Sequence, residues 1–209
     1  MPNNHEGKKM SKSFWEAVKE RRSVYGLSDE KIVPNERIAE IVHDAVKHVP
    51  SPYNSQSTRV VLLFGDAHKA FWQMTIDELK KVTPPERFLA TQEKVKGSFA
   101  SGYGTVLYFI DNSAVAELSA KFPLYAERFA LWSQHSNAMH QFVIWSALEA
   151  EGLGASLQHY SPLVDEAVRE KWHVPAEWQM VAQMPFGKPM LQPREKEFKS
   201  LDERVWVFE

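Results

Sequence analysis

Residues 136–151 place the tightest limit on what this chain can fold into. Ala138, Met139, Phe142, Val143, Ile144, Trp145, Ala147 and Leu148 all fall within that one segment. At about 100° per residue they cover most of a helix's circumference. The segment therefore predicts a buried helix rather than an amphipathic surface one. Gly152 and Gly154 follow directly and stop it. Other elements must wrap around it.

The wrapping elements are legible too. Residues 59–64 (Arg-Val-Val-Leu-Leu-Phe) and 105–110 (Thr-Val-Leu-Tyr-Phe-Ile) are short runs rich in β-branched and aromatic residues. They read as buried strands. Residues 155–160 and 179–185 read as further strands, and 204–208 as a last one. Helices are expected over residues 13–22, 67–82, 86–98 and 163–172. Another is expected between Pro34 and Pro50, where Ile38, Ile41, Val42, Ala45 and Val46 recur at helical spacing. Residues 114–131 read as helix interrupted by Pro123. Gly187-Lys188-Pro189 reads as a turn. Helices and strands alternate loosely, without repeat, low-complexity block or linker. The simplest architecture is one α+β domain over residues 13–209, preceded by a flexible tail over residues 1–12. The polar arm of residues 192–201 before an apolar end is unusual for a monomer. Pairing of the last strand with a partner subunit explains it.

Composition narrows the function classes. The 209 residues are 44% apolar and 25% charged, as in ordinary globular proteins. The net charge of -2 argues against nucleic acid or an anionic membrane as the main partner, since both select a basic face. With no cysteine, disulfides, thiolate nucleophiles, iron–sulfur clusters and Cys-based zinc sites are out of reach. The first residues are polar and lack the apolar core of a signal peptide, so a cytoplasmic location is the default expectation. The seven Trp and twelve Phe exceed what a minimal core needs, which suits subunit-interface packing or a pocket for a flat ligand.

Several chemistries lack their motif. His43 and His48 are five residues apart, as are His135 and His140, so neither pair shares a helix face. No His-Glu-x-x-His occurs, and no metal site is expected. Gly102-Tyr103-Gly104-Thr105 precedes a strand, whereas phosphate loops follow one and open a helix. There is no Gly-x-Ser-x-Gly elbow for a serine nucleophile. Two polar segments remain. Arg21-Arg22-Ser23 puts two guanidinium forks and a hydroxyl at a helix end, a combination suited to phosphate oxygens. Its simpler reading is a basic C-cap on the helix dipole. Pro50-Ser51-Pro52-Tyr53-Asn54-Ser55-Gln56 is dense in amides and hydroxyls that can satisfy the polar edge of a flat heterocycle. Its simpler reading is a helix stop and turn.

Taken together and in order, these segments resemble the FMN-dependent nitroreductase family. The resemblance comprises a first helix ending Arg-Arg-Ser, a second ending Pro-Ser-x-x-Asn-x-Gln, and then a strand. Gly152-Leu153-Gly154 after a long apolar helix and the late Gly-Lys-Pro also fit. The similarity runs from about Phe14 to Phe208. Tyr25-Gly26-Leu27, residues 54–59, residues 122–127, Gln158-His159-Tyr160 and residues 195–198 resemble one subgroup, the short nitroreductase-like proteins related to fungal fatty-acid-repression proteins.

The resemblance implies a central, mostly antiparallel sheet flanked by helices. It implies a homodimer that exchanges its C-terminal strands and holds two FMN at the interface. The helix from Ser136 would form much of the dimer core. By position, Arg21 and Ser23 would meet the FMN phosphate and ribityl chain, with Arg22 beside them. Ser51, Asn54 and Gln56 would approach the flavin ring from the partner subunit. Leu157, Gln158 and His159 would line its other side, partly through backbone groups. Lys196 and Arg194 would close on the phosphate from the C-terminal arm. Tyr25 stands where many relatives carry a basic residue near the flavin pyrimidine edge, so a neutral hydroxyl replaces a charge there. Phe122, Tyr125, Phe129 and Trp132 would shape the acceptor channel or pack an interface.

The implied activity is ping-pong hydride transfer from NAD(P)H to a nitroaromatic or quinone-like acceptor, with chemistry at flavin N5 and no catalytic side chain. A flavin-binding sensor or regulator with low turnover would use the same pocket. A non-flavin interaction protein would not need Arg21, Ser23, Asn54 and Lys196 together.

Overall fold

The computed structural model describes residues 12–209. The flexible tail expected over residues 1–12 lies outside them, except for Lys12, whose ammonium bridges Glu20 and Glu149 at 2.7 Å each.

Helix α1 (Phe14–Glu20) is opened by a capping box in which the Ser13 hydroxyl and the Glu16 carboxylate each take the other's backbone N–H. Strand β1 (Leu27–Ser28) and helix α2 (Asn35–His48) follow. Strand β2 (Thr58–Phe64) leads into α3 (Gly65–Val82) and α4 (Pro85–Val95). A π turn over Lys96–Ala100 brings the chain to β3 (Gly104–Asp111). Then come α5 (Asn112–Lys121), a short 3₁₀ turn at Pro123–Tyr125, α6 (Ala126–Ala150), β4 (Gly154–Ala155), α7 (Asp165–Trp172) and β5 (Trp178–Pro189).

The strands form one antiparallel sheet in the order β1-β5-β3-β2, with β4 also paired to β5. β3 lies centrally and every one of its residues is buried. Its side chains alternate between two cores, as a pleated strand requires. Val106 and Tyr108 face one core, with Ile38 and Val42 of α2, Ile144 and Leu148 of α6, and Met184 and Phe186 of β5. Leu107 and Phe109 face the other, with Phe71 and Trp72 of α3, Val95 of α4, Val168 of α7 and Met180. The result is a three-layer α+β sandwich, in agreement with the expected class.

Three local expectations are corrected, and the last strand, expected to pair with a partner subunit, has no pairing within one chain. Pro123 does break the chain, but the helix restarts at Ala126 and runs unbroken through residues 131–136. Residues 187–189 continue β5 instead of turning, because Gly187 lets the Ser28 carbonyl approach to where a Cβ would stand 2.5 Å away. Past Ala155 the expected strand of residues 155–160 shrinks to a single bridge, Gln158 to Gln183. Residues 204–208 form no strand within this chain. Val205, Trp206, Val207 and Phe208 are all exposed.

The buried helix is corrected more deeply. Within the chain α6 turns Ser136, Asn137, His140 and Gln141 inward together with Ile144, Trp145 and Leu148. Met139, Phe142 and Val143 stay about 40% exposed. The buried amides have a reason. Between Tyr108 and Phe109 the β3–β5 register shifts, and the Asn137 side chain donates to the Phe109 carbonyl at 2.9 Å. Gln141 donates in turn to Asn137 Oδ1 at 2.7 Å. Asn137→Ala should lower stability by about 2 kcal/mol, because it orphans a buried carbonyl and a buried amide. Urea unfolding measures this, and a change near zero would show that water replaces the amide.

Candidate functional site

Arg21 follows the last residue of α1 and caps its end. Its guanidinium lies 4.3 Å from the centre of the Trp145 ring on α6, a cation–π contact. Its Nε is buried and has no hydrogen-bond partner among the described residues. Burial, and the charge of neighbouring Arg22, push its pKa below the usual arginine value. A half-buried cation with an unpaired donor fits an anionic ligand better than a simple helix cap. Arg22 donates to the Arg194 carbonyl, so the C-terminal arm is tied to the same helix end.

Ser23 bridges Ala155 in parallel, and the Val24 amide donates to the Ala155 carbonyl at 2.9 Å. The arginine segment and residues 155–159 are therefore neighbours. Gln158 exchanges both backbone bonds with Gln183, at 2.7 and 2.9 Å. Its expected backbone contact to a ligand is thus already spent on β5. Leu157 and His159, on either side of it, make no such backbone bonds to β5. A cavity of about 500 Å³ opens beside this region, lined by Lys19, Arg22, Val24, Gly154, Leu191 and Pro193 among others.

Two expected contributors are not drawn in. The Lys196 ammonium lies over the exposed Phe198 ring at 5.2 Å. Tyr25 is exposed, its ring 6.2 Å from that of Phe99.

The polar loop of residues 51–56 is tightly shaped. Tyr53, Asn54 and Gln56 all take positive φ, at 54°, 49° and 45°. Asn tolerates that region, but each such residue costs of order 1 kcal/mol and clusters of them mark functional sites. The Gln56 amide donates to Ser51 Oγ at 2.9 Å, and the Asn54 amide to the Ser51 carbonyl at 2.9 Å. The Asn54 and Gln56 side chains are left exposed. Residues Phe122, Tyr125, Phe129 and Trp132 gather around the Tyr53 ring, with centroids at 4.7, 6.1, 5.5 and 6.3 Å. Tyr53 was not singled out from sequence. Its neighbours in the Pro-Ser-x-x-Asn-x-Gln pattern were, and an aromatic inside a polar turn was the available signal.

The two polar segments sit at opposite ends of the sheet. Ser23 is beside Ala155, which pairs with Phe186. The loop meets the far end, where the Asp111 amide donates to the Ser57 carbonyl and Asp111 pairs with Trp178. On β3 the two ends are Gly104 and Asp111, seven residue steps apart, roughly 23 Å at about 3.3 Å each. Among the described residues, no group of three or more His, Cys, Asp or Glu side chains could hold a metal ion. No described helix is long and apolar enough to cross a membrane.

A family model described as the nitroreductase family matches residues 18–188, most of the chain and both polar segments except the first residues of α1. The chain belongs to the nitroreductase family. A yeast relative described as putative nitroreductase HBN1 (Saccharomyces cerevisiae) is 32% identical over 197 residues, 93% of this chain and 97% of that protein. The nitroreductase FRM2 of the same yeast is 31% identical over 188 residues, 89% of this chain and 93% of that protein. The solved nitroreductase CinD from Lactococcus lactis, in complex with chloramphenicol, superposes with a TM-score of 0.86 at 34% identity, covering 94% of this chain and all of that one. An oxidoreductase role on nitro compounds follows from family membership, as does the fold.

Proposed function

We propose that the chain is a homodimeric, cytoplasmic flavoprotein that binds FMN and uses NAD(P)H to reduce nitroaromatic or quinone-like acceptors by a ping-pong mechanism. The carrying observation is Arg21, a half-buried cation stacked on Trp145 with an unpaired Nε. Arg21, Arg22 and Ser23 bind the phosphate and ribityl end, and Lys196 and Arg194 swing onto it when the arm is ordered by the partner. Leu157 and His159 offer backbone groups to one side of the ring, and Gln158 fixes their strand. Ser51, Asn54 and Gln56 of the other subunit meet the ring's polar edge, with Tyr25 offering a hydroxyl near it. FMN supplies the hydride chemistry when bound, so the protein's part is orientation, electrostatics and access. Phe122, Tyr125, Phe129 and Trp132, together with Tyr53, form an apolar aromatic wall against which a flat acceptor can stack. Nitroreductase CinD has been solved with 4-nitrophenol, a ligand of this shape.

Three surfaces support the dimer. Met139, Phe142 and Val143 of α6 line an open apolar depression with Val49 and Pro50. Residues 205–208 present an apolar terminus without a strand partner in this chain. β2 ends the sheet order and leaves one edge unpaired. An exchanged terminal strand would cover such an edge.

The purified protein should be yellow and dimeric, and its flavin absorbance should bleach on adding NADH or NADPH and recover on adding 4-nitrophenol or a quinone. A colourless protein that ignores added FMN would sink the proposal. A yellow protein that bleaches and then fails to hand electrons on would instead be a flavin sensor.

A further inference from the structure

Arg59 is absorbed by none of the roles above, yet it holds more partners than any other arginine described. Its Nη1 donates to the Gln56 carbonyl at 2.5 Å and to the Thr58 carbonyl at 3.2 Å. Its Nη2 donates to Asp111 Oδ2 at 2.8 Å, and the guanidinium carbon lies 5.8 Å from the centre of the Trp178 ring. Gln56 is the last of the positive-φ residues in the polar loop. Its carbonyl sits where that left-handed stretch joins β2, and nothing but Arg59 takes it up among the described side chains. A loop bent through three left-handed residues relaxes toward ordinary φ unless its surroundings over-determine it. Relaxation would swing Asn54 and Gln56, whose side chains have no bonds of their own to hold them.

Asp111 is the other half of the device. Its Oδ1 accepts from the Ser113 amide at 3.0 Å and from the Ser113 hydroxyl, which caps α5. Its own amide donates to the Ser57 carbonyl at 2.8 Å. The hydrogen bonds from Ser113 and the charge of Arg59 hold this carboxyl below its usual pKa against an opposing effect of burial, so it is an anion at neutral pH. One carboxylate thus couples the polar loop to α5, and α5 leads through Phe122 into the aromatic wall.

We propose that Arg59, locked by Asp111, is a positioning residue that fixes the curvature of the 53–56 loop and so sets where Asn54 and Gln56 meet the flavin ring. This rests on the flavin reading above. This role needs no contact between Arg59 and cofactor or acceptor. It acts through the Gln56 carbonyl, and its fork does what a point charge does not.

Arg59→Lys keeps the charge beside Asp111 and loses the fork. In the cofactor-free protein, amide exchange over residues 54–57 should speed up about tenfold, the loss of one charge-assisted hydrogen bond, while residues 60–63 keep their protection. In the FMN-loaded protein, flavin reduction by NADH or NADPH should slow about tenfold, with FMN affinity changed by less than about threefold because the residues proposed to grip the phosphate are untouched. Asp111→Asn keeps an acceptor for Ser113, removes the charge, and should reproduce both effects more weakly. It also serves if Arg59→Lys fails to fold. Unchanged exchange in a folded variant overturns the proposal. So does faster exchange with an unchanged reduction rate, which would make Arg59 merely structural. If the wild-type protein binds no FMN, it is the flavin reading that fails, and the exchange measurement alone decides whether Arg59 holds the loop.

Discussion

Replacing Arg21 by Ala is expected to weaken FMN binding by about 1.5–3 kcal/mol, roughly 10- to 150-fold, the worth of a hydrogen bond to a charged group. The geometry puts the effect at the upper part of that range. The guanidinium is desolvated against Trp145, where ionic hydrogen bonds gain strength, and its Nε has no competing protein partner to lose. Arg21→Lys should recover part of the loss, because an ammonium keeps the charge without the fork. Fluorescence titration of apoprotein with FMN reads both. Riboflavin, which lacks the phosphate, supplies the control: its affinity should be nearly the same in wild type and Arg21→Ala. An equal loss for both ligands would place Arg21 elsewhere than at the phosphate. The variant should fold, since the α1 capping box at Ser13 is untouched.

Acidification from pH 6.5 to 4 is expected to remove about 3 kcal/mol of stability through His68 alone. The ring is fully buried between α3 and β3. Nε2 faces the Ala100 carbonyl at 3.2 Å and must carry the proton that it donates there. Nδ1 then accepts from the Thr105 hydroxyl at 2.8 Å, and that oxygen accepts from Trp72 Nε1 at 2.9 Å. The chain of bonds satisfies a neutral ring. Burial pushes the pKa down to about 4 from 6.5, outweighing the pull of the Ala100 carbonyl. The sign follows. Above pH 6.5 the ring is neutral folded and unfolded alike, and contributes no pH dependence. Below 6.5 the unfolded chain takes up a proton that the native state refuses until about pH 4. Stability therefore falls by about 1.4 kcal/mol per pH unit across that window. His140, also lowered by burial, acts in the same direction, so the comparison must isolate His68. His68→Gln keeps a donor and an acceptor but does not titrate. Urea midpoints of the two proteins should converge as the pH falls from 7 to 4, and parallel curves would refute the assignment.

The strands show how far local chemistry reads out the fold. Residues 59–64 and 105–110 announced themselves as β-branched, aromatic runs, and the structure makes them β2 and the fully buried β3. Gly187 misled because a Gly-Lys-Pro triplet has turn composition, whereas here the glycine makes room for the Ser28 carbonyl. The site was legible as a pair of segments and opaque as a geometry. Arg21 was visible as a cation at a helix end, but Trp145 beneath it lies over a hundred residues away. Tyr53 and Arg59 escaped notice for the same reason. Their partners, Trp132 and Asp111, sit on other elements.

By itself, the sequence determined most of the elements, the α+β class, the family resemblance and the identity of the two polar segments. Each of those depends on periodicity or on residues close together in the chain. Only the tertiary structure decided which side of α6 is covered. Residues 136–151 looked apolar all round, but the β3–β5 bulge demands an amide from Asn137, so that side turns inward. Met139, Phe142 and Val143 then face outward, and an all-round apolar helix becomes one with a face that a single chain does not bury. The physical reason is that a buried carbonyl without a partner costs more than a few half-exposed apolar side chains.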